Sequence, residues 1–135
     1  MALTQIEEIS QKIKPIAEKY NMELILLFGS RATTHFRKDS DFDVAYYANK
    51  ELSFEERSGL YCELSELLES DRIDLLDVKT IKPLIFYEIM KNCRVLYAES
   101  ILKFYELRVY AFNRFQDEVK SLFQFKFDRL KAKYL

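Results

Sequence analysis

Apolar residues recur every three or four positions from Leu3 to Tyr20. Ile6, Ile9, Ile13 and Ile16 are separated by charged and polar residues, which is the one-sided stripe of an amphipathic helix. Thr4 followed by Glu7 reads as a capping box. Pro15 either starts a new turn or kinks the helix, and Asn21 is a suitable stop. The period then disappears. Glu23 to Phe28, ELILLF, is a nearly continuous apolar run closed by Gly29 and Ser30, and it predicts a short strand buried on both faces. Phe42 to Ala48 predicts a second strand. Ser53 to Ser70 returns to the helical period, with Ser53 as N-cap, Glu56 at the third position and Leu60, Leu64, Leu67 and Leu68 as its stripe. Ile73 to Val78 predicts a third strand. Lys82 to Lys91 predicts a helix with Pro83 in its first turn, and Arg94 to Tyr97 a short edge strand. From Ser100, itself a good N-cap, to Lys133 there is no glycine or proline. That stretch predicts one long helix, or two that meet near Gln124.

Strands alternating with helices define an α+β, or α/β-like, domain with a small mixed sheet flanked by helices. Residues 1–99 form the domain, and residues 100–135 a C-terminal helix that packs on it, on a partner, or on both. The length of 135 residues suits one domain. Charge divides the chain at the same point. Residues 1–99 hold 13 basic and 18 acidic side chains, whereas residues 100–135 hold 8 and 4. The overall charge of −1 argues against stable nucleic-acid binding, which rests on a strongly basic face. No apolar run approaches the roughly 20 residues that span a bilayer. The first residues, MALTQIEEIS, lack the basic start and apolar core of a signal peptide. The expected location is therefore the cytoplasm, with Cys62 and Cys93 as reduced, buried thiols. Two cysteines and no histidine cluster make no zinc site.

The residues that carry chemistry lie between the first two strands. Gly29 allows a sharp turn after a buried strand and lets a ligand approach the backbone. Ser30 and the amides after it stand where a helix begins, and free N–H groups there suit a phosphate. Asp41 and Asp43 are two apart on a strand, so both point to one face. Neighbouring carboxylates repel unless a cation lies between them, and Mg²⁺ takes such oxygens together with substrate phosphates. The third strand offers Asp74, on the face of Leu76 and Val78, and Asp77, on the face of Ile73 and Leu75. If the second and third strands are neighbours, Asp74 completes a three-carboxylate site. Two Mg²⁺ ions there would clamp the attacking and leaving oxygens of an in-line nucleotidyl transfer. Arg31, Arg37 and Lys38 are candidates for neutralising a triphosphate, with Arg31 favoured by its place beside Ser30. His35 reads as a solvated loop residue, and Tyr46 and Tyr47 as packing residues.

Gly29-Ser30, ten intervening residues, then Asp41-Phe42-Asp43 resembles the signature of the DNA polymerase β-like nucleotidyltransferase superfamily. The fuller LFGSRA…SDFDVA resembles its minimal nucleotidyltransferase (MNT) branch. The resemblance covers residues 22 to about 98. It departs at Thr33 and Thr34, where many relatives have a glycine. It implies that Asp41, Asp43 and Asp74 are catalytic and bind Mg²⁺, and that Gly29 and Ser30 hold the nucleotide phosphates.

A chain of this size has no room for a second, acceptor-binding domain. In the predicted C-terminal helix, Tyr105, Phe112, Phe115, Val119 and Leu122 form a stripe at heptad-like spacing. Phe104, Leu107, Tyr110, Phe123, Phe125 and Phe127 spread apolar surface to other sides, as expected of a helix that meets another chain. Size and motif together resemble the MNT antitoxins of HEPN/MNT toxin–antitoxin pairs. That resemblance implies an antitoxin that transfers AMP from ATP to a tyrosine of a HEPN ribonuclease toxin, within a hetero-oligomer. Two other functions fit the residues. One is a small-molecule nucleotidyltransferase with its acceptor site at a homodimer interface. The other is a non-enzymatic antitoxin acting by binding alone, which would have no need of the glycine, serine and three aspartates.

Overall fold

The computed structural model describes residues 3–32 and 41–134. His35, Arg37, Lys38 and the Thr33-Thr34 pair lie outside the described residues. Helix α1 (Leu3–Lys19) leads to β1 (Met22–Phe28). Strand β2 (Phe42–Ala48), helix α2 (Phe54–Leu68) and strand β3 (Ile73–Asp77) follow. Helix α3 (Pro83–Lys91), strand β4 (Arg94–Ala98) and helix α4 (Ile101–Tyr134) complete the chain. Short 3-10 turns occupy Gly29–Ala32 and Val78–Thr80. Each expected element is present, within one or two residues at its ends. Pro15 lies inside an uninterrupted α1, and Thr4 falls within the first turn of that helix, not at its cap. Asn21 ends the segment in a left-handed conformation, φ 53°. Ser53 forms the full capping box: its Oγ accepts from the Glu56 N–H, and Glu56 accepts from the Ser53 N–H. α4 is one helix of 34 residues with no break at Gln124.

The four strands form one mixed sheet in the order β3-β2-β1-β4. β1 pairs antiparallel with β2 and β4, and β2 pairs parallel with β3. The central strand β1 is the apolar run of the sequence, and Leu24, Ile25, Leu26 and Leu27 are all buried. The sheet carries a core on each side. α1 and α2 cover Ile25, Leu27, Val44 and Tyr46. α3 and the first part of α4 cover Leu24, Leu26, Ala45 and Val78.

α4 packs through Phe104, Leu107 and Ala111. The stripe of Tyr105, Phe112, Val119 and Leu122 is exposed. Two stripes run side by side on this helix, and the sheet covers the one whose small Ala111 permits close approach. Phe115 is half-buried because it stacks on Tyr87 of α3 at 4.4 Å. Beyond it, residues 116–133 are exposed on every side. At 1.5 Å per residue they make a stem about 27 Å long. The thiols differ from expectation. Cys62 is exposed because it stands on the outer side of α2. Cys93 is half-buried, and burial pushes its thiol up to about 11. Among the described residues no helix is long and apolar enough to cross a membrane.

Candidate active site

The site is built where β1 ends and β2 and β3 begin. Register places Phe28 opposite Asp43 and Asp43 beside Asp74. Neighbours in a parallel pair share a face, so Asp43 and Asp74 project together on the α3/α4 side. Asp41 stands just before β2, near enough for its charge to act on Asp43. Asp43 is half-buried, and Asp41 and Asp74 are exposed. The carboxyl of Asp43 is held above the usual carboxylate range. Burial is the main cause, followed by the charge of Asp74, the charge of Asp41 and a hydrogen bond with Asp74. Each of these favours the protonated form, because converging anions in a partly dry place cannot all ionise cheaply.

Asp77 serves another purpose. It stands beside Tyr46 in the register, on the α1/α2 side. Its carboxylate accepts from the Lys79 N–H at 2.9 Å and caps the 3-10 turn that follows. Strand alternation therefore separates the two aspartates of β3, as their spacing predicts. The expected outcome is that Asp74→Asn loses nucleotidyl transfer by at least about 10²-fold. Asp77→Asn should keep transfer and, because the Asn Oδ1 still accepts from the Lys79 N–H, keep its cap. Equal losses in rate would contradict the register.

Gly29 begins its 3-10 turn with φ +70°, a conformation that only glycine adopts without strain. A Cβ at this position would collide with the Asp43 carboxylate and lie 3.0 Å from its Cγ. The glycine thus lets the backbone turn lie directly against the acid. Ser30 follows, exposed, on the same turn. Arg31 is turned inward. Its side chain is 9% exposed, and its guanidinium lies 4.2 Å over the ring of Phe42. Phe42 precedes Asp43 and faces the other side of β2, so the structure brings Arg31 to the turn but packs its cation on Phe42. The sequence reading overlooked Arg94. This exposed residue opens β4 opposite Leu27, and its Nε donates to the Ala32 carbonyl at 3.3 Å. Only the β1–β4 pairing, more than sixty residues apart, brings that cation to the glycine turn.

Carboxylate oxygens gathered at one end of the sheet are the donor set a hard divalent cation requires. The described acidic side chains do not close into a ready-made ligand cage. The charges of Asp74 and Asp41 act on the half-buried Asp43, and a cation among the three would relieve that repulsion. On that ground Asp41, Asp43 and Asp74 fit Mg²⁺.

A strand, a glycine-serine turn, a paired-aspartate strand and a third aspartate in parallel register make up the candidate site. The chain belongs to the polymerase beta nucleotidyltransferase family, whose model matches residues 11–101. Solved structures share the fold. A toxin–antitoxin structure with AMP-PNP is 22% identical, with TM-score 0.72, over 90% of this chain and 98% of that one. A tri-AMPylated Shewanella oneidensis HEPN toxin in complex with its MNT antitoxin aligns at 21% identity and TM-score 0.68, over 93% and 98%. The toxin–antitoxin pair MntA-HepT aligns at 21% and 0.67, over 93% and 98%. Comparison with curated proteins found no match.

Proposed function

We propose that this protein is a cytoplasmic antitoxin that transfers AMP from ATP to a tyrosine of a HEPN ribonuclease toxin. The observation that carries the reading is the convergence of Asp41, Asp43 and Asp74 beside the Gly29 turn. The likeness to toxin–antitoxin complexes, one with AMP-PNP and one tri-AMPylated, supports the donor, the modification and the partner. Gly29 and Ser30 hold the triphosphate through the open turn, where no Cβ intervenes. Arg94 adds a cation at the rim. Asp41, Asp43 and Asp74 would hold two Mg²⁺ ions, which supply charge neutralisation for the phosphates and the leaving pyrophosphate. Asp74, exposed at the edge of the site, is placed to take the proton of the tyrosine hydroxyl. The phenolic oxygen joins the α-phosphorus and pyrophosphate departs. Transfer is expected only with Mg²⁺ or Mn²⁺, and full activity in excess chelator would sink the assignment of the three carboxylates.

The partner docks along the exposed face of α4, from Tyr105 into the stem, in this reading. Tyr105, Val109, Phe112, Val119, Phe123 and Leu130 recur at intervals of three, four or seven residues and are all exposed, Phe123 at 70%. Such a stripe uncovered along a helix is a seam for another helix. Phe123 and Phe127 touch none of the core, so Phe123→Ser with Phe127→Ser should leave the thermal melt unchanged. Toxin affinity should fall at least about tenfold by calorimetry. Unchanged affinity in the folded double variant places the interface elsewhere.

A further inference from the structure

The face of β2 that carries Asp43 continues through Ala45 to Tyr47, about 13 Å along the strand. There a cleft of about 440 Å³ opens between the sheet, the turn after β3 and α4. Its aromatic walls are Tyr47, Phe86 and Tyr110, and its cations are Lys79, Lys103 and Arg114. Among the described residues, Glu106 is the one carboxylate in the lining. The cations converge. The Nζ atoms of Lys79 and Lys103 lie 4.8 and 5.2 Å from the centre of the same Tyr47 ring. Lys79 is fixed there by donating to the Ala48 carbonyl at 2.6 Å. Arg114 lies 5.7 Å over Tyr110, which packs against Phe86 at 6.2 Å. The ion pairs Lys19–Glu63 and Lys50–Glu56 lie elsewhere on the surface. The domain is acidic, yet three positive charges gather here around one negative.

Like charges held together on one ring repel, and an anion between them relieves the repulsion. Aromatic faces beside such cations are what a nucleobase stacks on. The volume lies within the range of small-ligand sites. We propose that this cleft is a second nucleoside-phosphate site, separate from the metal site, which holds a nucleoside monophosphate group. The ligand has two sources, free AMP and AMP already joined to the acceptor tyrosine. The second source rests on the functional reading above. In it, the cleft keeps the modified acceptor on the sheet face that leads to the catalytic carboxylates.

The test uses the full chain with Asp41→Asn and Asp43→Asn, in chelator, titrated with AMP. These changes disable the metal site, and dependence on Lys103 and Arg114 separates AMP in the cleft from AMP held at the Gly29 turn. Binding should persist, and adding Lys103→Glu with Arg114→Glu should weaken it at least about tenfold. Lys103→Gln with Arg114→Gln should weaken it less, and circular dichroism melts check that each chain folds. A tyrosine peptide carrying AMP, titrated beside free AMP, identifies the source by which binds tighter. Absence of AMP binding, or binding indifferent to Lys103 and Arg114, overturns the proposal. So does a wild-type stoichiometry of one AMP-PNP per chain with Mg²⁺ that the cleft substitutions weaken by the same factor, because the cleft would then belong to the donor site. The titrations need neither toxin nor turnover. Their failure therefore counts against the cleft alone, and absence of AMP transfer by wild type counts against the functional reading alone.

Discussion

Asp41→Asn together with Asp43→Asn is expected to lower AMP transfer below about 1% of wild type while raising thermal stability. The substitutions are nearly isosteric and remove two of three converging negative charges. The sign follows from Asp43, whose carboxyl is raised in the folded chain by burial, by Asp74 and by Asp41. Between its ordinary value and the raised one, the folded chain holds a proton that the unfolded chain has released. Wild-type stability therefore falls as pH rises through that window, and the penalty persists at neutral pH. Melts across acid to neutral pH should show this decline in wild type and lose most of it in the variant. Toxin binding through the stem of α4 should survive, and mass spectrometry should find the toxin unmodified. In cells the variant should fail to protect. If it binds and protects as well as wild type, neutralisation is by binding and the enzymatic reading is wrong.

Gly29→Ala is expected to damage stability and transfer together. The left-handed backbone costs an alanine about 1–2 kcal/mol. The new methyl group also meets the Asp43 carboxylate, and the acid or the turn must move. We expect the melting temperature to fall by at least about 4 °C and transfer to fall at least about 10²-fold. The loss in rate should persist at temperatures where the variant is fully folded, because the displaced acid is part of the site. Transfer unchanged in a folded Gly29→Ala chain would mean that the turn does not position Asp43.

Most of the candidate site's geometry was legible because its rules are local. A spacing of two keeps Asp41 near Asp43, and alternation divides Asp74 from Asp77, whatever the rest of the chain does. Capping of α2 by Ser53 and the buried run of β1 are equally short-range. Pairing between strands is not local, so Arg94 could not be assigned to the glycine turn before the register was known. The inward turn of Arg31 depends on the ring of Phe42, and adjacency to Ser30 says nothing of that. α4 was left open for a different reason. It carries two apolar stripes of similar strength, and periodicity cannot say which one a sheet will cover. The deciding residue is Ala111, whose small size lets the helix approach and whose weak hydrophobicity hides it in a pattern.

The exposed half of α4 also separates two kinds of change. Residues 116–133 contribute nothing to either core, so substitutions there alter neither folding nor the geometry of the aspartates. On the proposed docking, recognition can therefore drift in this segment while the chemistry stays fixed. Exchanging only the stem between two such proteins should exchange their partners and leave the rate of each reaction with its own body.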